Sequence, residues 1–134
     1  MKTLKVIICK AGKGVSAHLP ELDGYVIARS TIEELKNELS AGIKFHIEGL
    51  YEEEKREWMN GEYDFKFVYK DIPSFVEAFN GIINQSNLAR ISGINESLMR
   101  QYASGIKRAT PRTLSRVQAG LRNYSETLRK VEFA

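Results

Sequence analysis

The 134-residue sequence holds one cysteine, three prolines, one tryptophan and two histidines, and each scarcity excludes something. Cys9 has no partner for an intramolecular disulfide, so a reduced, cytoplasmic setting is expected, and its apolar surroundings predict a buried thiol rather than a reactive one. His18 falls on an expected strand and His46 near an expected helix end, without the converging companions that a metal site requires. No run approaches the ~20 consecutive apolar residues of a membrane span. The opening MKTLKVIICK has too short an apolar run, and no small-residue cleavage site, for a signal peptide. Residues 11–14 (AGKG) lack the length of a phosphate loop and the Ser/Thr-led helix that should follow it. The expected strands hold no paired carboxylates in their interiors, as acid–base or two-metal chemistry would need. The expectation is a protein without enzymatic activity and without a cofactor.

What the chain does contain is uneven. Its hydrophobic fraction of 43% suits a small core, and its length suits one domain or two small ones. The net charge of +3 is an average over unlike halves: residues 1–79 carry 11 Lys/Arg against 14 Asp/Glu, a net of −3, and residues 80–134 carry 9 against 3, a net of +6. An acidic front joined to a basic rear suggests two partners of opposite character, nucleic acid for the rear.

In the front, residues 4–10 (LKVIICK) and 15–19 (VSAHL) read as a β-hairpin about AGKG, and residues 25–29 (YVIAR) as a third strand after the turn PELDG. Thr31 with Glu34 fits a capping box, and Ile32, Leu35, Leu39 and Ile43 form one stripe of a helix that should fade near Glu48 and Gly49. Residues 51–63 are acidic and end in the turn signal Asn60–Gly61, with Glu52, Glu53, Glu54 and Glu57 expected to form a solvated face. Residues 64–70 (DFKFVYK) close the unit as a strand with Phe65, Phe67 and Tyr69 on one side. The order β-β-β-α-β predicts an α+β domain over residues 1–70, a small sheet covered on one side by a helix.

The rear, residues 71–134, reads as all-α. Pro73 suits the first position of a helix carrying Phe75, Val76, Phe79, Ile82 and Ile83. Residues 85–102 (QSNLARISGINESLMRQY) read as two short helices about a tight turn. Ala89 permits a close crossing, Gly93 suits a left-handed residue, Asn95 a cap, and Leu98, Met99 and Tyr102 a buried stripe. Gln85, Ala89, Gly93 and the aliphatic beyond have the spacing of a helix-turn-helix DNA reader, and equally of a plain αα-corner. Thr110 and Pro111 open another helix with Leu114, Val117 and Leu121 inward. Residues 124–133 should form a last helix with Leu128 and Val131 inward, or a dimer-forming tail.

If the second helix of the motif enters a major groove, its polar side offers Asn95, Glu96, Ser97, Arg100 and Gln101 to base edges. Arg100 suits guanine and Gln101 adenine. Glu96 could accept from cytosine or simply stabilise the helix start, and Asn95 could be only a cap. Arg90, Lys107, Arg108 and Arg112 suit phosphates, which supply affinity without sequence information. Two-fold operators predict a homodimer or a higher homo-oligomer.

Residues 14–50 (GVSAHLPELDGYVIARSTIEELKNELSAGIKFHIEGL) resemble the N-terminal domain of HicB-type antitoxins in the hairpin, the proline-acidic turn and the Thr-Ile-Glu-Glu-Leu helix start. Residues 25–30 depart from the family, lacking its usual cysteine and Gly-Asp, and the insert at 51–63 is peculiar to this chain. The rear resembles the five-helix phage-repressor type of DNA-binding domain, above all in SGIKRATPRTL. The resemblance implies a partial ribonuclease H-like fold without catalytic carboxylates, a small basic RNA-cleaving toxin of HicA type as protein partner, and an operator in double-stranded DNA. The acidic front suits such a toxin by charge complementarity. Two other readings are a helix-turn-helix transcriptional regulator whose front domain senses a small molecule and, third, a nuclease of ribonuclease H type.

Overall fold

The computed structural model describes all 134 residues, Met1–Ala134, and the chain divides into two units between Lys70 and Asp71. In the first, β1 (Lys2–Ala11) and β2 (Gly14–His18) form an antiparallel hairpin, and β3 (Val26–Arg29) pairs antiparallel with β2. Helix α1 (Ile32–Glu48) follows, and β4 (Tyr63–Tyr69) joins parallel to β1, giving the sheet order β3-β2-β1-β4. Alternation places Leu4, Val6 and Ile8 on one face, all fully buried, and the register sets Phe65, Phe67 and Tyr69 beside them. The stripe Ile32, Leu35, Leu39 and Ile43 of α1 is buried as its spacing predicts. Thr31 caps α1 by accepting from the Glu34 N–H at 3.2 Å, one half of the expected box.

The acidic insert is built rather than loose. Residues Glu52–Glu54 and Glu57–Asn60 form single 3-10 turns, Glu54 Oε1 accepts from the Tyr51 N–H at 2.9 Å, and Lys55 pairs with Glu52 at 3.3 Å. Trp58 meets the Tyr63 ring edge-on at 5.8 Å.

The second unit has four helices where the sequence reading expects five: α2 (Ile72–Ala78), α3 (Gln85–Ser92), α4 (Glu96–Ser104) and α5 (Pro111–Arg129). Asp71 caps α2, so Pro73 stands one position later than expected, and the helix stops before Ile82, which is exposed. The predicted final helix at 124–133 is instead the continuation of α5 as far as Arg129. Leu128 and Val131, expected inward, are 55% and 53% exposed. The core consists of Ile72, Leu88, Ala89, Ile94, Met99, Tyr102, Ala103 and Val117, with Phe75, Val76, Ile83, Leu98, Leu114 and Leu121 packed around it.

The structural boundary also redistributes the charge. Residues 1–70 carry 11 Lys/Arg against 12 Asp/Glu, and residues 71–134 carry 9 against 5, because Asp71 and Glu77 belong to the helical unit. The front is thus near neutral, and the rear remains positive. No helix is long and apolar enough to cross a membrane.

Candidate nucleic-acid interface

The α3–turn–α4 segment is held by local chemistry. Gly93 ends α3 at φ 66°, a conformation that costs glycine nothing. The Ile94 N–H returns to the Ala89 carbonyl at 3.0 Å, and buried Ile94 pins the turn to the core. Asn95 then starts α4 by accepting from the Ser97 and Leu98 N–H groups at 2.9 and 3.2 Å. Helix α4 turns Met99, Tyr102 and Ala103 inward, while Ser97, Arg100, Gln101 and Ser104 are exposed, at spacings that line one outward stripe.

The five residues expected at base edges divide into two groups. Ser97, Arg100 and Gln101 stand exposed on that stripe. Asn95 spends its side-chain oxygen on the cap, and Glu96 accepts a 2.6 Å hydrogen bond from the Ser86 hydroxyl. Glu96 therefore ties the start of α4 to α3 and lies in the first turn, where the helix dipole favours a carboxylate. Both side chains serve the scaffold.

Among the expected phosphate contacts, Arg90, Lys107, Arg108 and Arg112 are all exposed. The Lys107 N–H bonds the Gln101 carbonyl at 3.2 Å, folding the loop after α4 back onto its last turn and placing Lys107 beside the stripe. Arg112 lies in the first turn of α5, after the Thr110 cap.

Two residues of α5 escape the sequence reading. Arg116 Nη2 donates to the Gly93 carbonyl, clamping the turn from outside the motif. Gly120 lies where a Cβ would stand 2.5 Å from the Ile91 carbonyl oxygen, so α5 crosses the end of α3 at backbone contact. The only advance signal for that crossing is a glycine in a helix interior.

In the first unit, His46 Nε2 bonds the Asp23 carbonyl at 3.1 Å and meets the Tyr25 ring edge-on, while His18 is exposed. No three His, Cys, Asp or Glu side chains converge. Burial raises the Tyr25 hydroxyl above its ordinary pKa, against a smaller opposing effect of Arg29, and burial alone raises those of Tyr63 and Tyr69. No family model, curated protein or solved structure matches this chain.

Proposed function

We propose that the chain is a DNA-binding antitoxin. In this reading its C-terminal unit, a helix-turn-helix domain of phage-repressor type, reads an operator with α4 as a homodimer. Its N-terminal unit, a partial ribonuclease H-like domain, neutralises a small basic RNA-cleaving toxin of HicA type, and the pair represses its own operon. The observation that carries the DNA reading is the outward stripe Ser97, Arg100, Gln101 on a helix whose other side is core, flanked by exposed Arg90, Lys107, Arg108 and Arg112. Arg100 and Gln101 would face base edges and the flanking cations phosphates. The uncovered end of α5 and the residues after it, with Tyr124, Leu128 and Val131 exposed, support a dimer contact. The antitoxin reading rests on the resemblance over residues 14–50 and on the β-β-β-α-β order about one covered sheet face. The unit as a whole is near neutral, so charge attraction to a basic toxin would be local, from exposed carboxylates such as Glu53, Glu54 and Glu57.

The sensing regulator ranks second for a physical reason. The groove lined by Tyr25, Arg29 and His46 is open, and two of its polar groups are already engaged, Arg29 by Glu38 at 3.2 Å and His46 by the Asp23 carbonyl, which leaves the Tyr25 hydroxyl without a partner.

The test is co-expression with the product of the adjacent small gene, purification through a tag on this chain, and titration of fragments of its own promoter at two salt concentrations. A stoichiometric small basic partner, toxic when expressed alone, and salt-dependent, sequence-selective DNA binding are expected. DNA binding without a partner would remove the antitoxin half of the proposal, and a partner without DNA binding would remove the repressor half.

A further inference from the structure

The loop between α4 and α5 exposes an apolar side chain in cationic surroundings. Gly105 ends α4 at φ 83°, its N–H donates to the Tyr102 carbonyl at 3.2 Å, and the Lys107 N–H returns to the Gln101 carbonyl at 3.2 Å. At the other end of the loop, Ala109 packs against the helical core and Thr110 caps α5. Ile106 is therefore set in a segment pinned on both sides. An apolar residue just past such a glycine commonly folds back onto the last turn of its own helix. Ile106 does not, and is 82% exposed. Its neighbourhood in the chain is of one sign: residues 97–125 hold six cations, Arg100, Lys107, Arg108, Arg112, Arg116 and Arg122, and no Asp or Glu. A scattered exposed aliphatic calls for no explanation. One fixed between the outward stripe of α4 and the Lys107–Arg108 pair shares whatever polyanion those residues meet.

We propose that Ile106 contacts the C5 methyl group of a thymine in the groove that α4 enters, so that a thymine–adenine pair stands beside the pair facing Gln101. The contact rests on the helix-turn-helix reading and adds a specificity-determining residue to it. The ligand group follows from chemistry. The major groove presents one apolar group, the thymine methyl, and aliphatic side chains read it by burial rather than by hydrogen bonding. The Ile106 side chain can neither donate nor accept, so phosphates and polar base edges offer it no hydrogen bond. The return of the Lys107 N–H to the Gln101 carbonyl keeps Ile106 next to the residue that ties the loop to the stripe. Its β-branched side chain has little rotamer freedom to lose on contact. A methyl is a small group and its effect is correspondingly small: burying it against Ile106 strengthens binding about fourfold.

The test takes the duplex that the full wild-type chain binds best from a random-sequence pool and replaces each thymine in turn by deoxyuridine, which removes the methyl and keeps the pairing. Fluorescence anisotropy compares the wild type with Ile106→Ala and with Ile82→Ala, a control at a second exposed aliphatic of the same unit. Thermal melts check that each variant folds. The expected result is one thymine whose replacement weakens wild-type and Ile82→Ala binding about fourfold and leaves Ile106→Ala binding unchanged, the coupling that a direct contact produces. A wild type indifferent to every replacement, a methyl effect that persists in Ile106→Ala, or an Ile106→Ala loss equal on all duplexes would overturn the contact while the repressor reading stands. A wild type that binds no duplex in the pool would overturn both.

Discussion

Arg116, on α5, donates a hydrogen bond to the carbonyl of Gly93, the left-handed residue between α3 and α4, 23 positions away. A helix outside the two-helix motif thereby holds the turn that orients α4. Arg116→Met keeps much of the aliphatic stem and removes the donor, leaving the carbonyl to water. A stability loss of about 1 kcal/mol is expected, because the bond is charge-assisted but exposed. Gly93→Ala should cost about 1–2 kcal/mol through its positive φ. Urea unfolding followed by circular dichroism checks both, and an Arg116→Met midpoint equal to wild type would show that the clamp contributes nothing.

Gly120→Ala sets two effects against each other. Alanine gains about 1 kcal/mol of helix propensity, but its Cβ would sit 2.5 Å from the Ile91 carbonyl oxygen and 3.0 Å from Ser92 Cα. Both neighbours are backbone, so α5 has to move, at about 1–3 kcal/mol for overpacking. Net destabilisation is expected, read as a lowered Tm. Ser92→Ala next to it should act in the opposite direction. The Ser92 hydroxyl is buried without a hydrogen-bond partner, and its removal is expected to raise stability by about 1 kcal/mol.

Alkaline conditions should loosen the first unit. Burial holds the Tyr25, Tyr63 and Tyr69 hydroxyls above the ordinary value of 10.0. Above that pH the unfolded chain releases these protons more readily than the folded one, so the unfolded state binds fewer protons and stability falls as pH rises. Stability from this source is complete below pH 10.0 and lost above it. Ultraviolet titration of tyrosinate should show late-ionising residues whose transition coincides with loss of structure, and Tyr25→Phe should remove one of them.

Two arginines on the candidate interface should fail in different ways. Arg100→Ala should cost about 1–3 kcal/mol on the preferred operator and much less on unrelated DNA. Arg108→Ala should weaken binding to all sequences alike and reduce the slope of log K against log salt by about 0.9. Fluorescence anisotropy on two duplexes at several salt concentrations separates the outcomes. Equal losses for Arg100→Ala on both duplexes would deny it a reading role.

Local signals account for what was legible in advance. The period of Ile32, Leu35, Leu39 and Ile43, the Thr31, Asn95 and Thr110 caps, and the left-handed Gly93 each depend on residues within a few positions, and all stand where their spacing places them. The misses have two origins. Ser86–Glu96 and Arg116–Gly93 join residues 10 and 23 apart, and no periodicity marks such pairs. The chain after Tyr124 carries the same apolar spacing as the first half of α5, but the four-helix core is too small to cover it, so Leu128 and Val131 remain exposed. Pattern shows which face is apolar and not whether a neighbour exists to meet it.

The parallel pairing of β1 with β4 sets the order of events in folding. Lys2 lies opposite Tyr63 and Ile8 opposite Tyr69, so every rung of that ladder closes a loop of about sixty residues, an entropic cost met before any rung forms. In the helical unit, α3 contacts α4 across a three-residue turn and α5 follows within about twenty residues. Refolding of the whole chain should therefore be biphasic, with helical signal recovering first and the environment of Trp58, packed on Tyr63 at the head of β4, recovering later. During synthesis the sheet cannot close until β4 has left the ribosome. Until then β1 has an unpaired side, and the aromatic row of β4 is the last piece of the first unit to find its place.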